Sequence, residues 1–268
     1  MTNILEAEHL NITYETGEGE GQRAVIDLCL SLGHGEILTV VGGSGSGKST
    51  FLHSAIGLLS DSAHIVGSLK YEGRDLIGLT EEKWNGLRGV EIALIFQNTG
   101  LSLNPNRRIK KQVLEYAEAH GMREATQVVK DMEALMRGVG FVDPQRVLNA
   151  YPFQLSGGML QRVAIAMAML LRPKLILADE PTSALDVTVQ AQVAAQIKRL
   201  RDEYGTSIIF VTHNMGVASY MADRIAVMER GRLIELGTRD QIIRHPQAGY
   251  TKLLLAAVPE LEETEGML

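Results

Sequence analysis

The sequence predicts an α/β fold: a parallel sheet with helices packed on it and a helical subdomain inserted between two of its strands. Three observations carry this. The apolar runs at residues 175–178 and 208–211 are of the kind a two-sided parallel sheet needs. A short apolar strand at residues 36–41 runs into a glycine-rich loop, and a helix follows over residues 50–59. From about residue 98 to residue 172 strand signals give way to helical spacing, first at Val113, Tyr116 and Ala117, then at Val128, Met132, Leu135 and Met136.

The remaining elements fill in around these. Residues 4–14 and 25–32 read as strands, separated by a loop at residues 16–21 whose alternating Gly and Glu cannot hold regular structure. Residues 67–73 fit another strand and residues 92–96 a short buried one. A helix is expected over residues 187–204, with Asp186 as its N-cap, Gly205 as its stop, and Val189, Val193, Ile197 and Leu200 as its buried stripe. The predicted divisions are residues 1–97 with 172–240 as the core, residues 98–171 as the helical insertion, and residues 241–268 as a short C-terminal helix and acidic tail.

Bulk composition narrows the function. Hydrophobic residues make up 45% of the 268, enough for a sizeable core. The net charge of −6 lacks the basic excess of a sequence-independent nucleic-acid binder, so nucleic acid is not an expected partner. A single cysteine, Cys29, allows neither an intrachain disulfide nor a thiolate cluster, and the seven histidines are scattered without metal-binding spacing. The first residues do not read as a signal peptide, and the longest apolar run, residues 163–171, is half of what spans a bilayer. The chain is therefore expected in the cytosol, with any membrane contact made through a partner.

Gly42-Gly43-Ser44-Gly45-Ser46-Gly47-Lys48-Ser49 matches the phosphate-binding P-loop pattern at every fixed position, between a strand and a helix, with Thr50 next. The glycines let backbone N–H groups turn toward phosphates, Lys48 reaches the β- and γ-phosphates, and the Ser49 hydroxyl ligates Mg²⁺. A flexible Gly/Ser linker would not be wedged between an apolar strand and a helix. The strand at residues 175–178 ends in Asp179 and Glu180, at the same sheet end where the P-loop opens. Asp179 would hold Mg²⁺ and Glu180 would polarise the attacking water; the bland alternative is a strand capped by solvated acids. Ser156-Gly157-Gly158 opens a long apolar helix, which is either a plain N-cap or an anion site.

Taken together, Leu155-Ser156-Gly157-Gly158-Met159, the P-loop before it and the acidic strand after it resemble the ATP-binding-cassette ATPases. The resemblance implies a P-loop NTPase (RecA-like) core with an N-terminal antiparallel β subdomain and an inserted α-helical signature subdomain. It matches Gln97 to the family's glutamine loop, which touches the Mg²⁺ and water region and a transmembrane partner. Asp186, in Ser183-Ala184-Leu185-Asp186, corresponds to the aspartate loop that crosses between two ATPase subunits. His213 matches the switch histidine at the γ-phosphate, and Tyr14 the ring that stacks on adenine, although Tyr14 could equally be core. The resemblance implies ATP and Mg²⁺ as cofactors, and hydrolysis coupled to dimer closure, with ATP on one P-loop covered by Ser156-Gly157-Gly158 of the other subunit.

Residues 97–105 and the stretch His245-Pro246 to Leu254 look like the peptide and nickel importer ATPases. Residues 151–162 look similar to the nickel-importer branch, and Gly43 departs from the Glu common in the peptide branch. The implied partners are a second, distinct ATPase, permease subunits at the cytoplasmic face of the inner membrane, and indirectly an extracytoplasmic binding protein. The competing classes are a DNA-repair or ribosome-associated cassette ATPase and a P-loop kinase or GTPase. The first usually carries a long coiled coil or a second cassette, and the second leaves the signature helix without a role.

Overall fold

The computed structural model describes residues 3–15, 21–97, 102–182 and 187–257. Residues 16–20, 98–101 and 183–186, and the tail from residue 258, lie outside them. The Gly/Glu loop, Asp186 as N-cap and the acidic tail therefore stand as sequence expectations only.

Among the described residues the strands form two sheets. β1 (Asn3–Tyr14), β2 (Gln22–Gly33), β4 (Ala63–Tyr71) and β5 (Arg74–Asp75) make an antiparallel sheet in the order β2-β1-β4-β5. The second sheet runs β10 (Arg232–Thr238), β9 (Arg224–Glu229), β3 (Ile37–Val41), β8 (Ser207–Thr212), β7 (Leu175–Asp179) and β6 (Ile92–Ile95). It is parallel except for the β9–β10 hairpin.

Alternation within the parallel strands builds two cores at once. Ile176, Ala178, Ile208 and Phe210 face a cluster shared with the helices of residues 109–200. Leu175, Leu177, Ile209 and Val211 face a cluster shared with the antiparallel sheet and α1 (Lys48–Ser54). Both faces are covered, so these strands are buried throughout, as parallel strands require.

The expected helices are present, with shifted ends. α2 (Glu81–Leu87), a helix not expected from the sequence, precedes β6, and α3 (Ile109–Ala119), α4 (Ala125–Gly138), α5 (Pro144–Asn149) and α6 (Gly157–Met169) follow it. Val113 and Ala117, and Val128, Met132, Leu135 and Met136, are buried as their spacing predicts. α7 (Val187–Tyr204) buries Val193, Ile197 and Leu200, with Val189 half-buried against the same cluster. Gly205 stops it at φ 68°, donating its N–H to the Arg201 carbonyl. The helix after the P-loop begins at Lys48 and closes at Ser54, shorter than its apolar run. There Gly57 turns left-handed beneath the Trp84 ring, where a Cβ would lie 2.3 Å from it.

α8 (Met215–Met221), α9 (Arg239–Arg244) and α10 (Gly249–Ala256) complete the chain around Val41, Val227 and Ile242. Glu235 of β10 ties α10 down, accepting from the Thr251 hydroxyl at 2.5 Å and from the N–H groups of Gln247 and Ala248 at 2.8 and 3.1 Å. Burial pushes its carboxyl up. The hydrogen bonds from Thr251, Gln247 and Ala248, with the Lys252 charge nearby, together outweigh burial and hold the pKa below the usual carboxylate range. A depressed folded-state pKa stabilises the docked helix above the ordinary carboxylate range and loses that contribution as pH falls through the folded value. Glu235→Ala is expected to speed amide exchange across residues 249–256 at neutral pH, with a smaller difference from wild type in acid. Equal exchange in both proteins at neutral pH would remove this anchor.

Candidate nucleotide site

The P-loop is held by close backbone packing. Gly42 at φ 159° would place a Cβ 2.2 Å from the Met228 carbonyl oxygen, and Gly47 at φ 94° would place one 2.3 Å from the Ala24 carbonyl oxygen. The N–H of Gly231 donates to Ser46 O at 3.1 Å, and the Gly231 carbonyl accepts from Ile26 N–H. Gly47 is also the N-cap of α1 and offers no side chain, so the first N–H groups of the helix stay open for an anion.

Within this loop the Lys48 ammonium is buried and donates to the carbonyls of Gly42 and Gly43, both at 2.8 Å, and to Ser46 Oγ at 3.3 Å. Burial lowers its pKa, opposed by the carboxylates of Glu180 and Asp179. Tyr14, Gln22, Arg23 and the run Gly45–Thr50 line a cleft of about 230 Å³ beside the loop. Tyr14 thus flanks the phosphate loop, half-buried at the end of β1.

Asp179 and Glu180 diverge at the end of β7. Asp179 is buried and its Oδ1 accepts from the Ser49 hydroxyl at 2.9 Å, with His53 Nε2 3.6 Å from Oδ2. Burial raises its pKa, partly offset by the Ser49 hydrogen bond and His53. Glu180 turns left-handed at φ 42°, a conformation costing on the order of 1–3 kcal/mol for a side chain of this kind, while its N–H donates to Val211 O. That turn swings its carboxylate out of the strand line. Glu180 Oε2 accepts from Gln97 Nε2 at 3.3 Å and lies 3.1 Å from His213 Nδ1. Three separate strand ends thus converge on one oxygen.

Ser156, Gly157 and Gly158 stand elsewhere, at the start of α6. Ser156 Oγ caps the helix by accepting from the Met159 N–H at 3.3 Å, and a Cβ on Gly157 would meet nothing within 4 Å. Asp186 lies outside the described residues.

Two neighbours of the site, Tyr250 and His53, are given no role by the sequence. Tyr250 reaches across from α10, and its hydroxyl oxygen accepts from the Gly43 N–H at 2.9 Å. A Cβ on Gly43 would lie 3.2 Å from that hydroxyl, so the small residue admits the ring. His53, one turn along α1 from Ser49, stands beside Asp179 and could be found only from helical spacing once α1 was placed.

Residues 25–183 match the family described as ABC transporter. The chain belongs to that family. Similar proteins include the oligopeptide transport ATP-binding protein OppD of Bacillus subtilis (strain 168), 42% identical over 98% of this chain and 74% of the relative. The dipeptide transport ATP-binding protein DppD of Lactococcus lactis subsp. cremoris (strain MG1363) is 40% identical over 97% and 75%. Among solved structures, the ATP-binding cassette MJ0796, a dimer in a post-hydrolysis state with ADP and Pi, superposes with TM-score 0.77 at 29% identity, covering 88% of this chain and 98% of that one. The chain is an ATP-binding-cassette ATPase, and its two sheets agree with that fold.

Gly47→Ala should be more damaging to this cassette than removal of a phosphate contact, because the methyl meets the Ala24 carbonyl and its φ is left-handed. ATP affinity is expected to fall at least about tenfold, with loss of stability of about 1–3 kcal/mol. Fluorescent-nucleotide titration and thermal unfolding check both, and an unchanged affinity would contradict the tight loop packing.

Proposed function

We propose that this chain is the ATP-hydrolysing motor of a peptide importer, acting with Mg²⁺ at the cytoplasmic face of a membrane. The observation that carries the reading is the meeting of Gln97, Glu180 and His213 on one carboxylate oxygen beside the Lys48 loop. Phosphoryl transfer needs positioned charge more than covalent chemistry from the protein. Lys48 would exchange the Gly42 and Gly43 carbonyls for phosphate oxygens, and its partial desolvation strengthens that contact. Tyr14 would stack on adenine at the cleft's edge.

Ser49 and Asp179 offer paired oxygen donors 2.9 Å apart, a hard-donor set that fits Mg²⁺, and Gln97, bonded to the adjoining Glu180, would add its amide oxygen. Mg²⁺ would supply neutralisation of the phosphate charge. Glu180 would take a proton from the attacking water, and His213 would contact the γ-phosphate. Gln97 begins a segment whose partner is the permease, so its bond to Glu180 would let that partner bias the base. Ser156, Gly157 and Gly158 are exposed or half-buried and would close over ATP held by a second subunit, with Asp186 crossing the same interface. The dimeric state of MJ0796 supports that arrangement.

The permease surface would also use a concavity of about 730 Å³ formed by Phe141, Val142, Val147, Leu155 and Met159 with polar neighbours. Val142 is fully exposed and Phe153 is 70% exposed, the apolar-with-polar mixture of a non-obligate interface. No helix among the described residues is long and apolar enough to cross a membrane. The names of the similar relatives favour peptides over nickel chelates as cargo, against the nickel-like look of residues 151–162. The second ATPase would be a distinct paralogue, and an extracytoplasmic binding protein would select the cargo.

Glu180→Gln is expected to lower turnover by about 10²–10⁴-fold while ATP affinity stays within a few-fold, leaving a long-lived ATP-bound dimer. Steady-state hydrolysis and light scattering read this, and near-normal turnover removes Glu180 from the role. The importer itself is tested by reconstituting the native complex in vesicles with its binding protein. Uptake of di- or oligopeptides, and two different ATPases by mass, are expected. Uptake of a nickel chelate alone, or one ATPase in two copies, would overturn the cargo or the pairing.

A further inference from the structure

The antiparallel sheet brings three metal-ligating side chains together on its outer face, and we infer that His9, Asp27 and Cys29 form a binding site for a zinc-class divalent transition ion. The sequence separates them by up to twenty positions and their spacing matches no metal motif. Strand pairing removes that separation. Leu28 and Leu30 of β2 point into the core, which sends Asp27 and Cys29 outward side by side. Opposite them β1 is irregular between Ala7 and Leu10, and the bulge turns His9 outward over the same patch.

The spacing of the donor atoms suits the ion. His9 Nδ1 is 2.8 Å from Asp27 Oδ1 and 3.8 Å from Cys29 Sγ, and one atom from each residue lies within 4.8 Å of the other two. A tetrahedral zinc with bonds of about 2.0–2.3 Å needs ligand atoms roughly 3.3–3.8 Å apart, so side-chain shifts on the order of an ångström complete the set. Thiolate, imidazole and carboxylate together suit zinc and its neighbours and disfavour Mg²⁺ or Ca²⁺. Three protein ligands leave a fourth position for water.

The backbone beneath is braced. His9 and Asp27 are both left-handed, at φ 47° and 51°, without being glycine. Asn11 joins them, donating from Nδ2 to His9 O at 2.7 Å and accepting from Asp27 N–H at 3.0 Å. Gly67 of β4 packs against the His9 carbonyl, where a Cβ would approach to 2.3 Å. An exposed His–Asp ion pair alone contributes little, and Cys29 is held beside it, its Sγ accepting from the His9 N–H at 3.3 Å. On binding, the Cys29 thiol releases its proton to water, and the ion replaces the proton between His9 Nδ1 and Asp27, the neutral ring then carrying its single proton on Nε2 by exchange with water.

The test is a cobalt titration of the reduced, chelator-stripped full chain, followed by zinc displacement. Wild type is expected to take up a single equivalent with thiolate-to-cobalt absorption in the near ultraviolet and the visible bands of a tetrahedral ion. Cys29→Ser should lose the ultraviolet band. His9→Ala and Asp27→Asn should each weaken zinc binding by at least about tenfold. Zinc should raise the thermal midpoint of wild type and not of the variants, while all four proteins keep normal ATP hydrolysis. Absence of the band in wild type would overturn the site. So would unchanged affinity in His9→Ala, which would leave only adventitious binding by an exposed thiol.

Discussion

Everything in the nucleotide site rests on the close approach of the P-loop backbone to three neighbouring segments. Gly42 lies against Met228 of β9, Gly47 against Ala24 of β2, and Ser46 is tied to Gly231 in the turn between β9 and β10. The loop is thus fixed by both sheets together. Neither sheet alone supplies the clamp, which gives the antiparallel sheet a structural reason to sit where it does. Because the packing is backbone on backbone, no side-chain substitution elsewhere can compensate a methyl at these glycines.

The same clamp explains the ready state of the charges. Lys48 donates to loop oxygens, and Glu180 is engaged by Gln97 and His213. In the proposed mechanism binding is therefore an exchange of partners in place, with little reorganisation, which is the condition for effective electrostatic stabilisation. Asp179 is held differently. It is buried, its ionised form is disfavoured by that burial, and one hydroxyl with a nearby imidazole offsets the cost. A cation at this position would relieve a charge the fold carries at some expense to stability.

Much of this was legible in the sequence, and the limits have physical causes. Buried parallel strands advertise themselves because both faces are apolar, so β3, β6, β7 and β8 could be placed within a residue or two. The buried faces of α4 and α7 followed from their period, with Val128, Met132, Leu135 and Met136 on one and Val193, Ile197 and Leu200 on the other. The P-loop was legible because its function constrains consecutive residues. Tyr250 was not, because its role depends on α10 folding back across 207 residues to a backbone N–H that has no sequence signature. His9, Asp27 and Cys29 were invisible for a related reason. Their meeting needs strand register and a bulge, and a bulge shifts which residues face out without altering composition.

A signal from the helical segment to the catalytic oxygen meets a rigid core on its way. Ile176, Ala178, Ile208 and Phe210 belong to the same apolar cluster as Val113, Met132, Val163 and Ile197. Close-packed clusters are barely compressible, transmit strain and move as bodies. The helical segment therefore cannot slide freely over β7 and β8, and the strand ends carrying Glu180 and His213 stay fixed relative to that core. Gln97 differs. It is exposed, two residues beyond Ile95, the last buried side chain of β6, and its amide reaches back to Glu180 from outside the sheet. Two side chains, both exposed, approach that oxygen: His213 one residue beyond the buried Thr212, and Gln97 two beyond Ile95. In the proposed mechanism Gln97, the farther from its strand's buried run, is the group through which an external partner would act on the site.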